Sequence, residues 1–489
     1  MAVSRPLADL VETFSRLSVL VVGDAMLDSY LSGTSDRLCR EAPVPIVAVG
    51  ARVDTPGGAA NTAANAAALG ARVTLLSVIG DDAEGALLLA ALAERGVATA
   101  HVTRDPDRRT LAKHRLLAGA QMLVRFDQGS TGRLPARRER AVAHALGALF
   151  ARHDAVVVSD YGYGVLGPLV RAALGAAQRR APRVVVADSK DLAAYRAAGL
   201  TAVKPNYGEA LALLGAGPAG AGRCAAIEGR GGRLLDLTGA QIAAVTLDRE
   251  GALFFERGRP PYRTYARPAD HTRAAGAGDT FGAALALALA AGGDVARAAE
   301  VASAASAVVV GKDGTAACSA AELRAYLAGG DKRLALPALA ARVAEHRRAG
   351  RRVVLTSGCF DILHRGHVTY LNAAKAQGDV LVVALNSDAG VARLKGTGRP
   401  INPLDDRAAV LAGLSSVDHI VAFDEDTPAA VVAAVRPDVF VKGGDYTRDM
   451  LPEAPLVEAT GGAVRILPYV EERSTSSLIE RIRASAPAA

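Results

Sequence analysis

Runs of β-branched residues alternate with Ala- and Leu-rich stretches along almost the whole chain, and this alternation limits the possible folds more than any other feature. Most runs are continuously apolar, as in SVLVVGD (18–24), AVVVSDY (155–161) and RVVVADSK (183–190), which is typical of parallel strands covered by helices on both faces. PVPIVAV (43–49) and residues 111–127 alternate instead, which predicts a smaller, half-exposed sheet. The pattern therefore predicts an α/β protein.

A second α/β series begins at RRVVLTSGCFD (351–361) and continues to AVRILPYV (463–470). Between the two series the chain is rich in Ala, Arg and Glu, which favours helices. We therefore predict a first domain over residues 1–320, a helical linker over 321–350 and a second domain over 351–489. Since the two series carry different motifs, the chain is predicted to be a fusion of unlike domains.

Composition and termini exclude several classes of protein. The 57 basic residues exceed the 50 acidic ones by only seven, which is poor evidence for nucleic-acid binding in a chain of 489 residues. No apolar stretch is long enough to span a bilayer, and Asp9 and Glu12 interrupt what would be the core of a signal peptide. The sequence predicts a cytoplasmic protein without nucleic-acid or membrane partners, and its four separated cysteines fit a reducing compartment.

The segment AAGAGDTFGAALALALAAG (274–292) is the sharpest motif of the first half. Gly276, Ala277 and Gly278 form a turn that runs directly into a long helix, so free backbone N–H groups and the positive end of the helix dipole meet there. This arrangement suits the charge that develops on a transferring phosphoryl group. Asp279 follows and is placed to accept a proton from a substrate hydroxyl; the alternative is that Asp279 only caps the helix.

Two further segments of the first half suit a polyol substrate. TPGGAANTAANAAALG (55–70) contains the pair Gly57 and Gly58 before a helix, which allows close approach of a substrate. VVGDAMLDSY (21–30) places Asp24 at the carboxyl end of a strand and Asp28 one turn later, where parallel-sheet enzymes bind ligands.

A third segment, KPNYGEA (204–210), places Asn206 and Glu209 on one face of a helical turn. Their oxygen atoms are able to hold hydrated Mg²⁺. Taken singly, the residues of each of these three segments could equally be helix caps or turns.

In this order the segments resemble the ribokinase-like (phosphofructokinase-B) carbohydrate kinases over roughly residues 15–320. The resemblance implies that Asp279 is the catalytic base and that residues 276–278 form the anion hole. It implies sugar contacts by Asp24, Asp28, Gly57, Gly58 and Asn61. It implies Mg²⁺–ATP contacts by Asn206, Tyr207, Gly208, Glu209, Asp248 and Gly251, with Asn206 and Glu209 binding Mg²⁺ through water. Arg273 and Ala275 depart from the Asp and Thr that this family commonly has there, which puts a monovalent-cation site in doubt.

In the second half, TSGCFDILHRGHVTYL (356–371) contains a strand, a glycine turn and the pair His364 and His367 at the opening of a helix. Such histidines can donate hydrogen bonds to a triphosphate and to the pyrophosphate leaving group. The alternatives are a metal-binding pair or plain surface residues. The segment resembles the HxGH nucleotidyltransferases over about residues 350–485, which implies that Phe360 and Asp361 also belong to the site.

The same resemblance implies a set of phosphate-binding residues further along the chain. A late Ser/Thr motif at a helix start matches EERSTSSLIERI (471–482), and basic residues lie in RLKGTGRPINPLDDR (393–407) and VKGGDY (441–446). The residues concerned are Lys395, Arg399, Arg407, Lys442, Ser474, Thr475 and Ser476.

The order of the two halves resembles the bifunctional enzymes that combine a D-glycero-β-D-manno-heptose 7-phosphate kinase with a D-glycero-β-D-manno-heptose 1-phosphate adenylyltransferase. The fold implied is a ribokinase-like α/β sandwich with a small lid sheet, followed by a Rossmann-like nucleotidyltransferase domain. ATP is the implied substrate of both steps, Mg²⁺ the implied cofactor, and a homodimer through the kinase domain the implied assembly. Two alternatives stay open: a different sugar kinase joined to a cytidylyl- or guanylyltransferase, and a degenerate kinase half that serves as a scaffold for an active transferase.

Overall fold

The chain forms two compact units in a computed structural model that describes residues 7–119, 121–217, 222–266, 275–328, 332–396, 398–444 and 446–467. The first unit extends over Leu10–Leu323, and the second begins at Arg324 and also takes in residues 7–9. The predicted linker contains two helices, and Leu339 and Val343 of the second helix lie in the hydrophobic core of the second unit.

Within the described residues the first unit contains thirteen strands and nine complete helices, and two further helices cross its boundaries. The strands are β1 (Ser18–Gly23), β2 (Ala25–Leu38), β3 (Pro45–Gly58), β4 (Arg72–Gly80), β5 (Ala98–Asp105), β6 (Ala112–Ala118), β7 (Gln121–Gln128), β8 (Ala155–Asp160), β9 (Val184–Ser189), β10 (Ala202–Val203), β11 (Ile242–Thr246), β12 (Ala252–Glu256) and β13 (Tyr262–Thr264). The helices are α1 (Leu7–Glu12), α2 (Ala59–Ala68), α3 (Ala83–Glu94), α4 (Ala136–Leu149), α5 (Pro168–Arg180), α6 (Tyr207–Leu214), α7 (Arg223–Ile227), α8 (Gly231–Thr238), α9 (Ala277–Ala290), α10 (Val295–Val310) and α11 (Ala320–Leu327).

Nine strands form one sheet in the order β13-β12-β11-β10-β9-β8-β1-β4-β5. All neighbours from β11 to β5 pair in parallel, and only β12 and β13 are antiparallel additions at one edge. Leu20 and Val22 face a core that includes α4 and α5, whereas α2 and α9 pack on the other face. Burial on both faces explains why these strands are continuously apolar.

A separate four-stranded sheet, here called the lid sheet, has the order β3-β2-β6-β7. It confirms the smaller sheet predicted from the alternating segments. Met122, Val124 and Phe126 on β7 are about half exposed, at 52%, 47% and 45% of their surface. One detail of the prediction was wrong: Asp28 lies within the long strand β2 and not one helical turn after Asp24.

The second unit contains five parallel strands in the order β16-β15-β14-β17-β18. Val353 and Leu355 face the core that contains α12, and Val354 faces the core that contains α13, so both faces are covered. The strands are β14 (Val353–Gly358), β15 (Val380–Asn386), β16 (His419–Phe423), β17 (Val439–Gly443) and β18 (Ala463–Leu467). The helices are α12 (Leu336–Arg348), α13 (Arg365–Lys375), α14 (Asp388–Lys395), α15 (Leu404–Ala412), α16 (Ala429–Val435) and α17 (Ala454–Ala459).

None of the described helices is both long enough and apolar enough to cross a membrane.

Candidate active sites

The candidate sites of both units lie where parallel strands end. In the first unit Asp24 follows β1, Tyr161 follows β8, Asp188 lies at the end of β9 and Lys204 follows β10. The carboxyl ends of neighbouring parallel strands meet at one edge of a sheet, and ligands of open α/β sheets bind there. The sheet thus brings together polar residues that lie far apart in the sequence.

Asp279 is the centre of a hydrogen-bond network at this edge. Its side chain is buried, with 6% of the residue surface exposed, and it lies in the first turn of α9. Asn61 Nδ2 donates to Oδ2 at 2.8 Å, and Tyr161 OH donates to Oδ1 at 2.7 Å. The N-cap of α9 is Gly276, and Asp279 caps nothing, so the alternative reading of Asp279 as a helix cap was wrong.

The environment of Asp279 favours a carboxyl group that can exchange a proton near neutral pH. Burial raises its pKa to about 6, because the charged form loses its hydration. The hydrogen bonds from Asn61 and Tyr161 act in the opposite direction and stabilise the carboxylate. General bases work best when their pKa lies near the operating pH, so this environment suits a base.

The start of α9 has the geometry of an anion site. Gly276 has φ +87°, and a Cβ there would lie 2.3 Å from Asn61 Nδ2, so both backbone and space require glycine. Ala277 and Gly278 are the first two residues of the helix, where N–H groups have no intrahelical acceptor. A Cβ on Gly278 would lie 3.3 Å from Lys204 Nζ, so a buried ammonium adjoins this helix end. Lys204 also forms an ion pair with Asp188 at 2.8 Å.

The predicted sugar-binding residues surround the same edge, although both carboxylates also bind the protein itself. Asp24 accepts backbone N–H groups of Tyr161, Tyr163 and Val165 at 3.0–3.1 Å, and so fixes the loop that carries Tyr161. Asp28 accepts from Arg115 Nη1 at 2.8 Å.

The two predicted glycines lie next to Asp28 and Asp24. A Cβ on Gly57 would lie 2.7 Å from Asp28 Oδ2. Gly58, the N-cap of α2, has φ +56°, and a Cβ there would lie 2.6 Å from the backbone carbonyl oxygen of Asp24. These close approaches leave no room for larger residues.

The predicted metal pair forms a capping box at the start of α6. Glu209 N donates to Asn206 Oδ1, and Asn206 N donates to Glu209 Oε2, both at 2.9 Å. Lys190 Nζ also donates to Glu209 Oε1 at 3.2 Å. The cap reading is therefore correct for both residues. Carboxylate and amide oxygens keep a second lone pair for a water ligand, so the donor set fits Mg²⁺ only through water. The described residues contain no group of three or more potential metal ligands.

The remaining predicted nucleotide contacts lie next to α6. Asn206 pairs with Thr246 at the end of β11, which brings Tyr207 and Gly208 towards the loop that contains Asp248 and Gly251. Asp248 forms an ion pair with Arg223, whose guanidinium lies 5.2 Å from the centre of the Tyr207 ring. Of the two residues that depart from the kinase pattern, Ala275 pairs with Thr315, and Arg273 lies outside the described residues.

In the second unit the histidine motif lies after β14, the central strand. His364 is the N-cap of α13, and its ring lies 3.9 Å from the ring of His367, centre to centre. Phe360 has φ +43° and packs on His367 at 5.4 Å between ring centres. Burial, and then the neighbouring His364, lower the pKa of His367 to about 3, so His367 is neutral at pH 7.

Lys442 reaches the same end of β14 from the neighbouring strand β17. Its Nζ donates to Ser357 O at 3.0 Å and to Ser357 Oγ at 2.9 Å, and burial lowers its pKa. β14 and β17 lie on either side of the point where the strand order reverses, which is where nucleotides bind in such sheets. Lys395, by contrast, is exposed at the end of α14.

Three residues that were predicted for the transferase site bind other groups of the protein. Asp361 accepts the backbone N–H groups of Ile401 and Asn402 at 2.7 and 2.9 Å, and pairs with Arg399. Arg407 is buried and donates to backbone carbonyls and to a carboxylate, with its acceptors on Asn402, Cys359, Asn386 and Asp388. A guanidinium with these partners holds the loops of the site together. It is not available to a phosphate group.

The sequence-based prediction of a late phosphate-binding motif concerns Ser474, Thr475 and Ser476. All three lie outside the described residues.

Other residues of the first site were missed by sequence reasoning. Tyr161 and Thr62 both donate to Asp279, and Asp188 pairs with Lys204. Tyr161 follows an apolar strand and precedes Gly162, and a polar residue in that position at the end of a parallel strand was the available signal.

Comparison with known families gives two matches that together cover most of the chain. Residues 16–322 match the pfkB family carbohydrate kinases, and residues 355–479 match the family described as cytidylyltransferase-like. These matches confirm the predicted fold class and the predicted pairing of a sugar kinase with a nucleotidyltransferase.

Among solved structures, phosphofructokinase-2 from Escherichia coli in complex with potassium superimposes with a TM-score of 0.53 and 22% identity. It covers 63% of this chain and 97% of its own. The same enzyme in complex with substrates and products gives a TM-score of 0.52. At this identity the likeness establishes the fold of the first unit.

Full-length relatives extend over both units. The bifunctional protein HldE of Pseudomonas aeruginosa is 42% identical over 477 residues, which is 96% of this chain and 98% of the relative. The bifunctional protein HldE of Alkalilimnicola ehrlichii is 43% identical over 486 residues, and that of Geobacter sulfurreducens is 42% identical over 476. The chain therefore belongs to the family of bifunctional HldE proteins, with a pfkB-family carbohydrate kinase followed by a cytidylyltransferase-like domain.

Proposed function

We propose that the chain catalyses two steps of ADP-heptose biosynthesis. The first unit phosphorylates C1 of D-glycero-β-D-manno-heptose 7-phosphate with ATP, and the second transfers an adenylyl group from ATP to D-glycero-β-D-manno-heptose 1-phosphate. The observation that carries this proposal is the end-to-end match to bifunctional HldE proteins, over 96% of this chain. The two strand-edge sites, one around Asp279 and one around His364 and His367, give each half a chemical role.

In the kinase step the C1 hydroxyl of the sugar attacks the γ-phosphorus of ATP. Asp279 accepts the hydroxyl proton, while Asn61 and Tyr161 hold its carboxylate in place. The N–H groups at the start of α9 and the Lys204 ammonium stabilise the charge on the transferring phosphoryl group. No covalent intermediate is needed, because positioning and charge stabilisation supply the catalysis.

Asn206 and Glu209 would hold Mg²⁺ through water beside the nucleotide. Bound there, Mg²⁺ neutralises charge on the ATP phosphates. The chain's own contribution is the rigid capping box, which fixes the positions of both side chains before ATP binds.

The pKa of Asp279 predicts a pH limit on the kinase step. A base must be deprotonated, so kcat/KM should be constant above about pH 6 and fall tenfold per pH unit below it. With an ordinary aspartate as the base, the fall in kcat/KM would begin near the usual pKa of about 4. We expect initial rates at subsaturating sugar between pH 4.5 and 8 to show the fall beginning near pH 6. A fall that begins only near pH 4 would contradict the assigned environment of Asp279.

In the transferase step a phosphate oxygen of the sugar 1-phosphate attacks the α-phosphorus of ATP, and pyrophosphate leaves. His364 and His367 donate N–H groups to the triphosphate, and Lys442 adds a positive charge from the adjacent strand. The incoming triphosphate favours the charged form of the histidines, because an opposite charge nearby raises a histidine pKa. Asp361 and Arg407 keep the surrounding loops in position.

The test of the proposed function is to incubate the intact chain with heptose 7-phosphate and ATP and to identify the product by mass. We expect the 1,7-bisphosphate. Removal of the 7-phosphate by a phosphatase and addition of ATP should then give ADP-heptose and pyrophosphate. A parallel assay with CTP, GTP and UTP tests the base, and a preference for CTP or GTP would favour the alternative cytidylyl- or guanylyltransferase. Transferase activity without sugar-dependent ATP turnover would favour a scaffold role for the first unit.

We further propose that the chain is a cytoplasmic homodimer that pairs through the first unit. The half-exposed apolar residues Met122, Val124 and Phe126 on the lid sheet support this surface, because contiguous exposed apolar patches mark interfaces. A phosphofructokinase-2 of the same fold is described as tetrameric. Sedimentation of the intact chain should give twice the mass of 50.1 kDa, and a single-chain mass would contradict the proposal.

A further inference from the structure

Behind the catalytic carboxylate, buried polar groups form a continuous series of hydrogen bonds, here called the amide relay. Asn61 and Asn65 lie one turn apart on α2, which packs against α9. Thr280 follows Asp279 on α9, and Cys318 lies in the segment between α10 and α11. All of these residues are buried. Because buried polar groups must find partners within the protein, each bond of the amide relay constrains the next.

Asn65 uses all four hydrogen-bonding positions of its side-chain amide. Its Nδ2 donates to the backbone oxygen and to Oδ1 of Asn61, both at 3.0 Å. Its Oδ1 accepts from Thr280 Oγ1 at 2.7 Å and from the backbone N–H of Cys318 at 3.3 Å. An amide side chain has two N–H donors and two acceptor lone pairs, so this set of partners is complete.

Two of these partners are backbone groups, whose roles cannot be exchanged. The carbonyl of Asn61 can only accept a hydrogen bond, and the N–H of Cys318 can only donate one. If the Asn65 amide were turned over, its oxygen would meet a carbonyl and its NH₂ group would meet an N–H. Asn65 is therefore fixed in the orientation that directs an N–H to Asn61 Oδ1.

The orientation of Asn65 determines which end of the Asn61 amide faces the base. Because Asn61 Oδ1 faces Asn65, Asn61 Nδ2 faces Asp279 and donates to its Oδ2 at 2.8 Å. The opposite orientation would place an amide oxygen against a carboxylate oxygen. Burial raises the pKa of Asp279 to about 6, and the hydrogen bond from Asn61 acts against this rise by stabilising the charged form.

We propose that Asn65 is a positioning residue of the kinase step. It turns the Asn61 amide so that Nδ2, and not Oδ1, faces the catalytic carboxylate, and the backbone N–H of Cys318 is the fixed point of this orientation. The inference rests on the proposed kinase function and adds to it a residue that acts on Asp279 through Asn61.

Other groups also act on the base, and the test has to separate them from Asn65. Besides Asn61, they include the donors Tyr161 and Thr62 and the charged residues Asp188 and Lys204. The carboxylate of this charged pair raises the pKa of Asp279, and the ammonium lowers it. None of these four residues is among the partners of the Asn65 amide named above. Replacement of Asn65 therefore changes the orientation of Asn61 and leaves the four in place.

The test is the pH dependence of the kinase step in Asn65→Leu, a replacement of similar shape without hydrogen-bonding groups. We expect the fall in kcat/KM for heptose 7-phosphate to begin about one pH unit higher than in the wild type, which is the effect of losing a hydrogen bond to a charged group. The variant should be about fivefold slower at pH 6 but less than about twofold slower at pH 8.5. Loss by the same factor at every pH would show a purely structural role and overturn the proposal.

A double replacement tests whether Asn65 acts through Asn61. Asn61→Ala removes the donor itself and should move the pH profile in the same direction. Asn61→Ala combined with Asn65→Leu should then have the profile of Asn61→Ala alone, because no amide is left for Asn65 to orient. A further displacement in the double variant would contradict this route.

Two more variants control for stability. Asn65→Ala places alanine in a helix that is already rich in alanine, and it should displace the pH profile as Asn65→Leu does. Thr238→Val removes a buried hydroxyl of the same unit, which donates to Leu234 O at 2.8 Å on α8, and it should keep the wild-type profile. The adenylyltransferase rate and the thermal transition of each variant report on folding.

A direct measurement distinguishes failure of this inference from failure of the proposed function. If the wild-type chain shows no sugar-dependent ATP turnover, the kinase function is wrong, and NMR of the chain labelled with ¹³C-carboxyl aspartate still gives the pKa of Asp279. The resonance is identified by its absence from Asp279→Asn. A pKa that is higher in Asn65→Leu than in the wild type supports the orienting role of Asn65. An unchanged pKa overturns it.

Discussion

Replacement of Asp279 by asparagine is expected to reduce the kinase step by about a hundredfold to ten-thousandfold, which is the usual contribution of a positioned base. The amide cannot accept the proton of the C1 hydroxyl. The substitution also changes a hydrogen bond, because Asn61 and Tyr161 both donate to the present carboxylate, one to each oxygen. An amide offers only one oxygen, so one of the two donors would meet an NH₂ group. Asn61 is itself held by a bond from Asn65, which opposes its reorientation.

The adenylyltransferase step provides an internal comparison for this variant. We expect Asp279→Asn to leave that step unchanged when it is assayed with sugar 1-phosphate and ATP. Asp294→Asn is the matched control. Asp294 is an exposed aspartate at the N-cap of α10, and its carboxylate accepts a hydrogen bond from the backbone N–H of Arg297. Asp294→Asn should retain the kinase step. Kinase turnover of Asp279→Asn within tenfold of the wild type would contradict the role of Asp279.

Removal of either histidine ring is expected to reduce the transferase step by about a hundredfold to a thousandfold, as with other preorganised transition-state donors. The rings of His364 and His367 lie 3.9 Å apart, centre to centre, at the start of α13 and are tilted by 32°, so each ring supplies a donor that the other cannot replace. His367→Ala removes a ring that is partly buried and neutral in the free protein. The kinase step of both alanine variants should be unchanged.

His346→Ala is the matched control for the histidine variants. His346 belongs to the same unit and contacts His419, with the two Nε2 atoms 2.9 Å apart. His419 begins β16, and therefore lies at the opposite end of the parallel sheet from the HxGH motif. Transferase activity of His364→Ala or His367→Ala equal to that of His346→Ala would contradict the assignment. Pyrophosphate release at saturating ATP and sugar 1-phosphate gives the required rates.

Local sequence patterns were sufficient to predict the fold class and the helix starts that carry Asp279 and the two histidines. Continuous apolar runs such as 18–24 and 155–161 became central parallel strands, because a strand buried on both faces has no polar side. The glycine turn before α9 and the helix start at the HxGH motif were read correctly for a similar reason. The backbone conformation at Gly276 and the position of His364 at the N-cap of α13 depend on residues within a few positions of each other.

The partners of charged side chains could not be predicted in the same way. Arg407 was assigned to phosphate, yet its guanidinium binds Cys359, Asn386 and Asp388, which lie between 19 and 48 positions away. Tyr161 contacts Asp279 across 118 positions. Such pairs are created by the order of strands in a sheet, and a single sequence contains no record of that order.

The sequence by itself determined the two-part α/β organisation, the glycine-rich helix starts and the residue types that transfer phosphoryl and nucleotidyl groups. These properties depend on local backbone conformation and on hydrophobic periodicity, both of which a short segment contains in full. Only the tertiary structure decided which ionisable groups bind the protein and which remain for substrates. Burial and distant partners set the pKa of Asp279 and place the Tyr161 hydroxyl beside its carboxylate. Electrostatic energies depend on distance and on desolvation, and both exist only after the strands have been arranged.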